Sequence, residues 1–149
     1  MNKYFVSSGV ISLFLSVAHT WWGLINVLPE ISSLNPTAMA GLEVAWYQVG
    51  ATLFAGGIAL LIHGMTRQAS KAIPALVLAI YFAHFSLFLA LVILKYQFVM
   101  VQTMTQLVLF SIMLVLLALG FWIPTASARD HFTSRNINYV SVLNFKQKG

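Results

Sequence analysis

The chain has 149 residues, of which 60% are hydrophobic and only 7% are charged, with a formal net charge of +5 and no cysteine. A water-soluble domain carries roughly 25% charged residues, so a chain this poor in charge needs the bilayer as its solvent. The missing cysteines exclude disulfides, thiolate catalysis, thiolate zinc sites and iron–sulfur clusters.

The three acidic residues, Glu30, Glu43 and Asp130, avoid the middle of every apolar run. That argues against a carboxylate-driven antiporter and against a carboxylate-bridged metal site. The basic residues are thinly spread and form no patch, which argues against nucleic acid as a partner.

The first apolar run covers about 4–28. At about 1.5 Å rise per residue it can cross a ~30 Å hydrocarbon core as a helix. Lys3 and the small-x-small tripeptide Ser16-Val17-Ala18 have the look of a signal peptide. The run nevertheless continues through Trp21, Trp22 and Leu24 to Leu28, so a retained span is expected. Ser8, Ser12, Ser16, His19 and Gly23 recur at steps of three or four, which places them on one helix face. That face is expected to look into the protein. The phrase "AHTWWG" at 18–23 then puts a histidine just beneath an aromatic anchor at the membrane boundary. Trp22, one turn from His19, is the tryptophan expected to turn inward.

The second run covers about 42–62, and Asn35-Pro36 can cap and start its helix. His63-Gly64 is expected to end it. Gln48, Thr52, Gly56, Ala59 and His63 form its expected inner stripe. Trp46 reads as an interfacial anchor. The third run covers about 72–94. Ser70 is its expected cap, and Pro74 is tolerated in its first turn. Ala75, Ala79, Ala83, Ser86 and Ala90 are its expected inner stripe. The fourth run covers about 98–123, with Gln102, Gln106, Leu109 and Met113 facing inward. Residues 125–149 form a polar tail with interleaved apolar residues, suited to the membrane surface or to a partner.

Seven of the eight basic residues lie on one side of this arrangement: Lys3, Arg67, Lys71, Arg129, Arg135, Lys146 and Lys148. Only Lys95 falls on the other side. The positive-inside rule then predicts both termini in the cytoplasm. The expected fold is all-α: an integral membrane antiparallel four-helix bundle in the cell inner membrane, with domain 1–124 and a cytoplasmic tail 125–149.

Histidine is the one ionisable residue type expected deep in the membrane, and such residues are functional candidates. His63 and His131 should reach water. His19 and His84 should not. A neutral imidazole can lock helices together through one hydrogen bond. It can also ligate haem iron, so a haem b held by His19 and His84 is an alternative reading. A quinone-binding site is another, with His19 beside Trp22, Tyr47, Gln48 and Gln106. A small-molecule transporter ranks third. The leading expectation is a non-enzymatic structural or accessory subunit with no cofactor. It would pack against another membrane protein or against its own copies.

"SSGVISLFLSVAHTWWGLINVLP" followed by "AWYQVGATLFAGGIALLIHG" resembles small uncharacterised four-span bacterial membrane proteins of DoxX-like type. The resemblance covers the first two spans. It implies a bundle of this shape and assigns no activity.

Overall fold

The computed structural model describes residues 1–30, 35–66, 70–94 and 104–122. Four α-helices run in order: α1 (Lys3–Trp22), α2 (Pro36–Met65), α3 (Ala72–Leu94) and α4 (Met104–Trp122). A π-helical turn, Gly23–Val27, continues α1 without a break. Each of the four is long and apolar enough to cross a bilayer. The chain is therefore a multi-pass membrane protein. Lys95, Gln102 and the tail 125–149 lie outside the described residues, as do Arg67, Arg129, His131, Arg135, Lys146 and Lys148.

Local chemistry sets the helix starts. A helix leaves its first N–H groups without partners, and an oxygen placed just before it can accept from them. Asn2 Oδ1 accepts from the backbone of Tyr4 at 3.1 Å and of Phe5 at 3.4 Å. Asn35 Oδ1 accepts from Ala38 at 2.8 Å, and Pro36 follows in the first turn. Ser70 Oγ accepts from Ala72 at 3.3 Å, as its sequence position predicts. α2 runs on past His63-Gly64 to Met65, and Thr66 Oγ1 closes it by donating to Ile62 O at 2.7 Å. Gly64 is not a stop signal. It lets α1 approach: a Cβ there would lie 2.8 Å from Val6 and 3.1 Å from Asn2 O.

Lipid is as apolar as leucine, so membrane helices associate through close packing and hydrogen bonds. α1 packs most extensively on α2 and next on α4, while α3 meets α2 and α4. Contacts descend α2 as they climb α1: Asn2 with Gly64, Ser12 with Leu53, Ser16 with Gly50, His19 with Trp46. Gly9 and Gly57 sit backbone to backbone in this contact. A Cβ on Gly9 would lie 2.8 Å from Gly57 O, and one on Gly57 3.0 Å from Gly9 O.

That closeness lets the serines of α1 reach across. A serine in a helix usually donates to the carbonyl four residues back. Ser8 does so, to Tyr4 O at 2.8 Å, with a longer contact to Met113 O on α4. Ser12 and Ser16 instead donate to α2, to Leu53 O at 2.7 Å and Gly50 O at 2.8 Å. All three are buried, so the predicted inner stripe of α1 is observed.

Tyr81 brings α3 into the same knot. Its hydroxyl lies 2.6 Å from Ser12 Oγ and 3.1 Å from Leu53 O. Two hydroxyl protons serve this triangle. With Ser12 donating to Leu53 O, the tyrosine proton is left to donate to Ser12 Oγ and Leu53 O. Gly56 provides the space, because a Cβ there would strike the tyrosine ring.

The predicted inner stripe of α3 is corrected by this arrangement. Ala75, Ala79, Ala83 and Ala90 are exposed, whereas Pro74, Val77 and Tyr81 are buried. A hydroxyl in lipid must find a partner, so Tyr81 sets the rotation of the helix and the alanines follow outward. The α2 stripe is rotated as well. Gln48 is exposed, while Gly50, Leu53, Gly57 and Leu60 are buried together with His63. On α4, Met113 and Leu117 are fully buried, and Gly120 lies against Phe5.

The end where α1 begins is tied in three places. The Asn2 backbone donates to Gly64 O at 2.7 Å, and its Nδ2 donates to Gly120 O at 3.0 Å. Lys71 Nζ donates to Phe121 O at 2.6 Å. The last carbonyls of a helix carry partial negative charge, so an ammonium group beside them is favourable.

Candidate functional site

The histidine of "AHTWWG" meets a tryptophan from the other helix of the pair. The His19 ring is half-buried and stacks on Trp46, with centroids 4.2 Å apart and planes 8° from parallel. The Trp46 indole Nε1–H donates to His19 O at 3.0 Å. Gly23 makes room for that indole, and any Cβ there would collide with it. The π-helical turn begins at the same glycine, with Leu28 N–H donating to Gly23 O at 2.9 Å. Histidine, tryptophan and glycine thus form a clasp where α1 changes its winding. His19 Nε2 is buried inside it without a hydrogen-bond partner.

The other predicted site residues do not join the clasp. Trp22 is 36% and Tyr47 40% exposed. Gln48 is exposed and Gln106 is half-buried, and none of the described hydrogen bonds or ring contacts links these four to His19. His84 stands on the outer side of α3. It is exposed, and its Nδ1 bonds Ile80 O at 2.8 Å within its own helix. α1 and α3 both start beside the end of α4, and Ser12 stands level with Tyr81. His19 is seven residues beyond that level and His84 three. The difference of four residues is an axial offset of about 6 Å. The two imidazoles thus occupy different sides of the protein, His19 between α1 and α2, His84 on the flank of α3.

His63 departs from expectation. It is 5% exposed, its ring meets Phe5 edge-on at 5.5 Å, and its Nδ1 has no partner. The start of α1 lies over it and keeps it from the water that its place near a helix end suggests.

Two residues have central roles that the sequence reading missed: Trp46, read there only as an interfacial anchor, and Tyr81, not singled out at all. Trp46 could have been recognised only with the α1–α2 register in hand. Tyr81 carried a readable signal. It is a mid-span hydroxyl in a helix whose only other polar side chains are His84 and Ser86. Among the described residues, no three His, Asp or Glu side chains gather as a metal-binding group. The chain matches no family model, no curated protein and no solved structure.

Proposed function

We propose that this protein is a non-enzymatic accessory subunit: an antiparallel four-helix bundle of the inner membrane that packs against another membrane protein. One observation carries the reading. Among the described residues, the buried hydroxyl groups of Ser12, Ser16 and Tyr81 join helices, that of Ser8 bonds Tyr4 O of its own helix, and Asn2 joins helices at one end. A transport path or catalytic centre needs polar groups that face a substrate, and these face helix backbone. The likeness of the first two spans to DoxX-like four-span proteins is in keeping with this shape.

A second reading is favoured by the unpartnered Nε2 of His19 and by the free side of His84. Either imidazole could serve a haem b or a quinone. Purification in mild detergent separates the readings. A second membrane protein in fixed ratio supports the first, and an absorbance band at haem wavelengths supports the other.

The charge distribution supports a topology with both termini in the cytoplasm. The chain has no cysteine, so single cysteines report cleanly on topology. Thr37, in the first turn of α2, and Ser70, just before α3, are both exposed. In intact cells Thr37→Cys is expected to label with an impermeant thiol reagent, and Ser70→Cys is expected to stay unlabelled. The reverse pattern would invert the topology.

A further inference from the structure

We propose that the outer face shared by α2 and α3 joins two copies of this chain across a two-fold axis along the membrane normal, with the Gln48 amide of each copy donating to His84 Nε2 of the other. The inference goes beyond the accessory-subunit reading and does not depend on it.

Both side chains lie on this face. On α2, Gly56 meets Tyr81 of α3, while Gly50 and Gly57, about 100–120° to one side of it, meet α1. Gln48 lies about 80° to the other side. On α3, Tyr81 meets α2, and Phe85, about 40° to one side, stacks on Phe110 of α4. His84 lies about 60° to the other side. α1 and α4 pack on each other behind the α2–α3 pair. Gln48 and His84 therefore both point away from them, and both are exposed. Their depths also match. Leu53 and Tyr81 meet at one level. α1 and α3 both start beside the end of α4, and α2 runs against α1. Five residues back along α2 and three residues on along α3 thus lead the same way, and Gln48 and His84 differ in depth by about 3 Å. A glutamine side chain spans that distance.

The two groups are chemical complements. His84 Nδ1 bonds Ile80 O at 2.8 Å. A carbonyl only accepts, so Nδ1 carries the proton and Nε2 holds a lone pair. Among the described residues nothing donates to that nitrogen. The Gln48 amide carries two N–H donors. Among the described side-chain hydrogen bonds Gln48 enters only one, through its backbone carbonyl, which accepts from Thr52 Oγ1 at 2.8 Å. Gln106 does not share this face. It is half-buried and lies about 20° around α4 from the fully buried Met113, so it turns inward. Polar groups left in hydrocarbon without partners are costly, and interhelical hydrogen bonds remove that cost. A two-fold axis along the membrane normal preserves depth, so the donor of each copy meets the acceptor of the other and both pairs close at once. The face carries its own complement, and that selects a second copy as the occupant. The packing agrees. Exposed Ala55 lies within about 20° of Gln48 on α2, and exposed Ile80 within about 40° of His84 on α3, at depths about 2 Å apart. A small residue on one copy thus faces a large one on the other, which lets the helices come close.

The test uses the full chain in phosphatidylcholine vesicles. Gln48→Cys and His84→Cys proteins with tags of different size are mixed in detergent, reconstituted together and oxidised with copper phenanthroline. The mixed pair keeps one intact Gln48–His84 contact, so a disulfide between the two proteins is expected. It should be several-fold more abundant than when Val115→Cys, on the exposed side of α4, replaces either one. Self-association is measured in parallel by energy transfer between copies labelled through Ser70→Cys. Gln48→Leu and His84→Leu are each expected to weaken it roughly tenfold, because either change removes both hydrogen bonds of the pair. The double variant is expected to be no weaker than the weaker single variant, because no further bond is lost. Both positions are exposed, so the variants should keep their helical circular dichroism, which is recorded alongside.

The accessory-subunit reading is tested by what copurifies, so it stands or falls separately from these outcomes. A chain that stays monomeric in vesicles would overturn the proposal. Leucine variants that associate as well as wild type would overturn it and leave this face to lipid or to a different protein. Additive losses in the double variant would show that Gln48 and His84 act independently, which is equally fatal. A disulfide formed within the doubly substituted Gln48→Cys/His84→Cys chain, with none between copies, would place the contact inside one molecule and sink the idea. A Soret band on adding haem b that is lost in His84→Leu would replace it with iron ligation.

Discussion

Gly57→Leu is expected to separate α1 from α2 and to lower stability by about 3 kcal/mol or more. Overpacking a tight contact typically costs roughly 1–3 kcal/mol. Here the Gly9 backbone cannot yield: a Cβ on Gly57 would lie 3.0 Å from Gly9 O and equally close to the Leu13 side chain. Helices forced apart also lose Ser12 to Leu53 O and Ser16 to Gly50 O. Bonds of this kind add on the order of 0.6 kcal/mol each. Gly41, on the same helix, is the natural control. Nothing lies within 4 Å of a Cβ placed there. Gly41→Ala is expected to stabilise slightly, by about 0.5–1 kcal/mol, through the entropy that glycine loses on folding. Unfolding midpoints in one detergent, measured for both variants, decide the matter. A Gly57→Leu protein as stable as wild type would show that the α1–α2 contact is looser than described.

Tyr81→Ala is expected to have the second large effect, about 3 kcal/mol. The ring is 1% exposed and fills the space over Gly56. Aromatic-to-alanine changes in cores cost roughly 3–5 kcal/mol, and the lower end applies because lipid removes part of the transfer contribution. Tyr81→Phe keeps the ring and removes only the hydroxyl. It should cost about 1 kcal/mol, because Ser12 retains its bond to Leu53 O. Ser12→Ala should cost a similar amount. The double variant should cost less than the sum, because the two hydroxyls bond each other. Strict additivity would mean that the 2.6 Å contact contributes nothing.

The parts legible in the sequence were those where lipid imposes a rule. Backbone groups in hydrocarbon must pair internally, so long apolar runs are helices, and capping residues mark where they start. Asn35 with Pro36 and Ser70 stand at such starts, and Asn2 caps α1 in the same way without having been singled out. The serine face of α1 was also legible, because small polar residues four apart have a reason to face protein.

The inner face of α3 was not legible. In a soluble helix the apolar side is the buried side. In this helix nearly every side is apolar, and size alone does not tell Ala79 from Val77. The hydroxyl of Tyr81 decides the rotation, through a register that joins three helices. The clasp around His19 was hidden for a related reason. Trp22 is close to His19 in sequence, but Trp46 reaches it across the helix pair, 27 positions away. His63 was misplaced because a position near a helix end suggests water, while the cover comes from the start of α1.

The measurement that tests the accessory-subunit reading most directly is purification of the native protein in mild detergent, with an absorption spectrum and intact-complex mass spectrometry on one sample. The account predicts a colourless protein bound in fixed ratio to a second membrane protein. A Soret band that disappears in both His19→Gln and His84→Gln would contradict it and identify a haem-binding redox module instead.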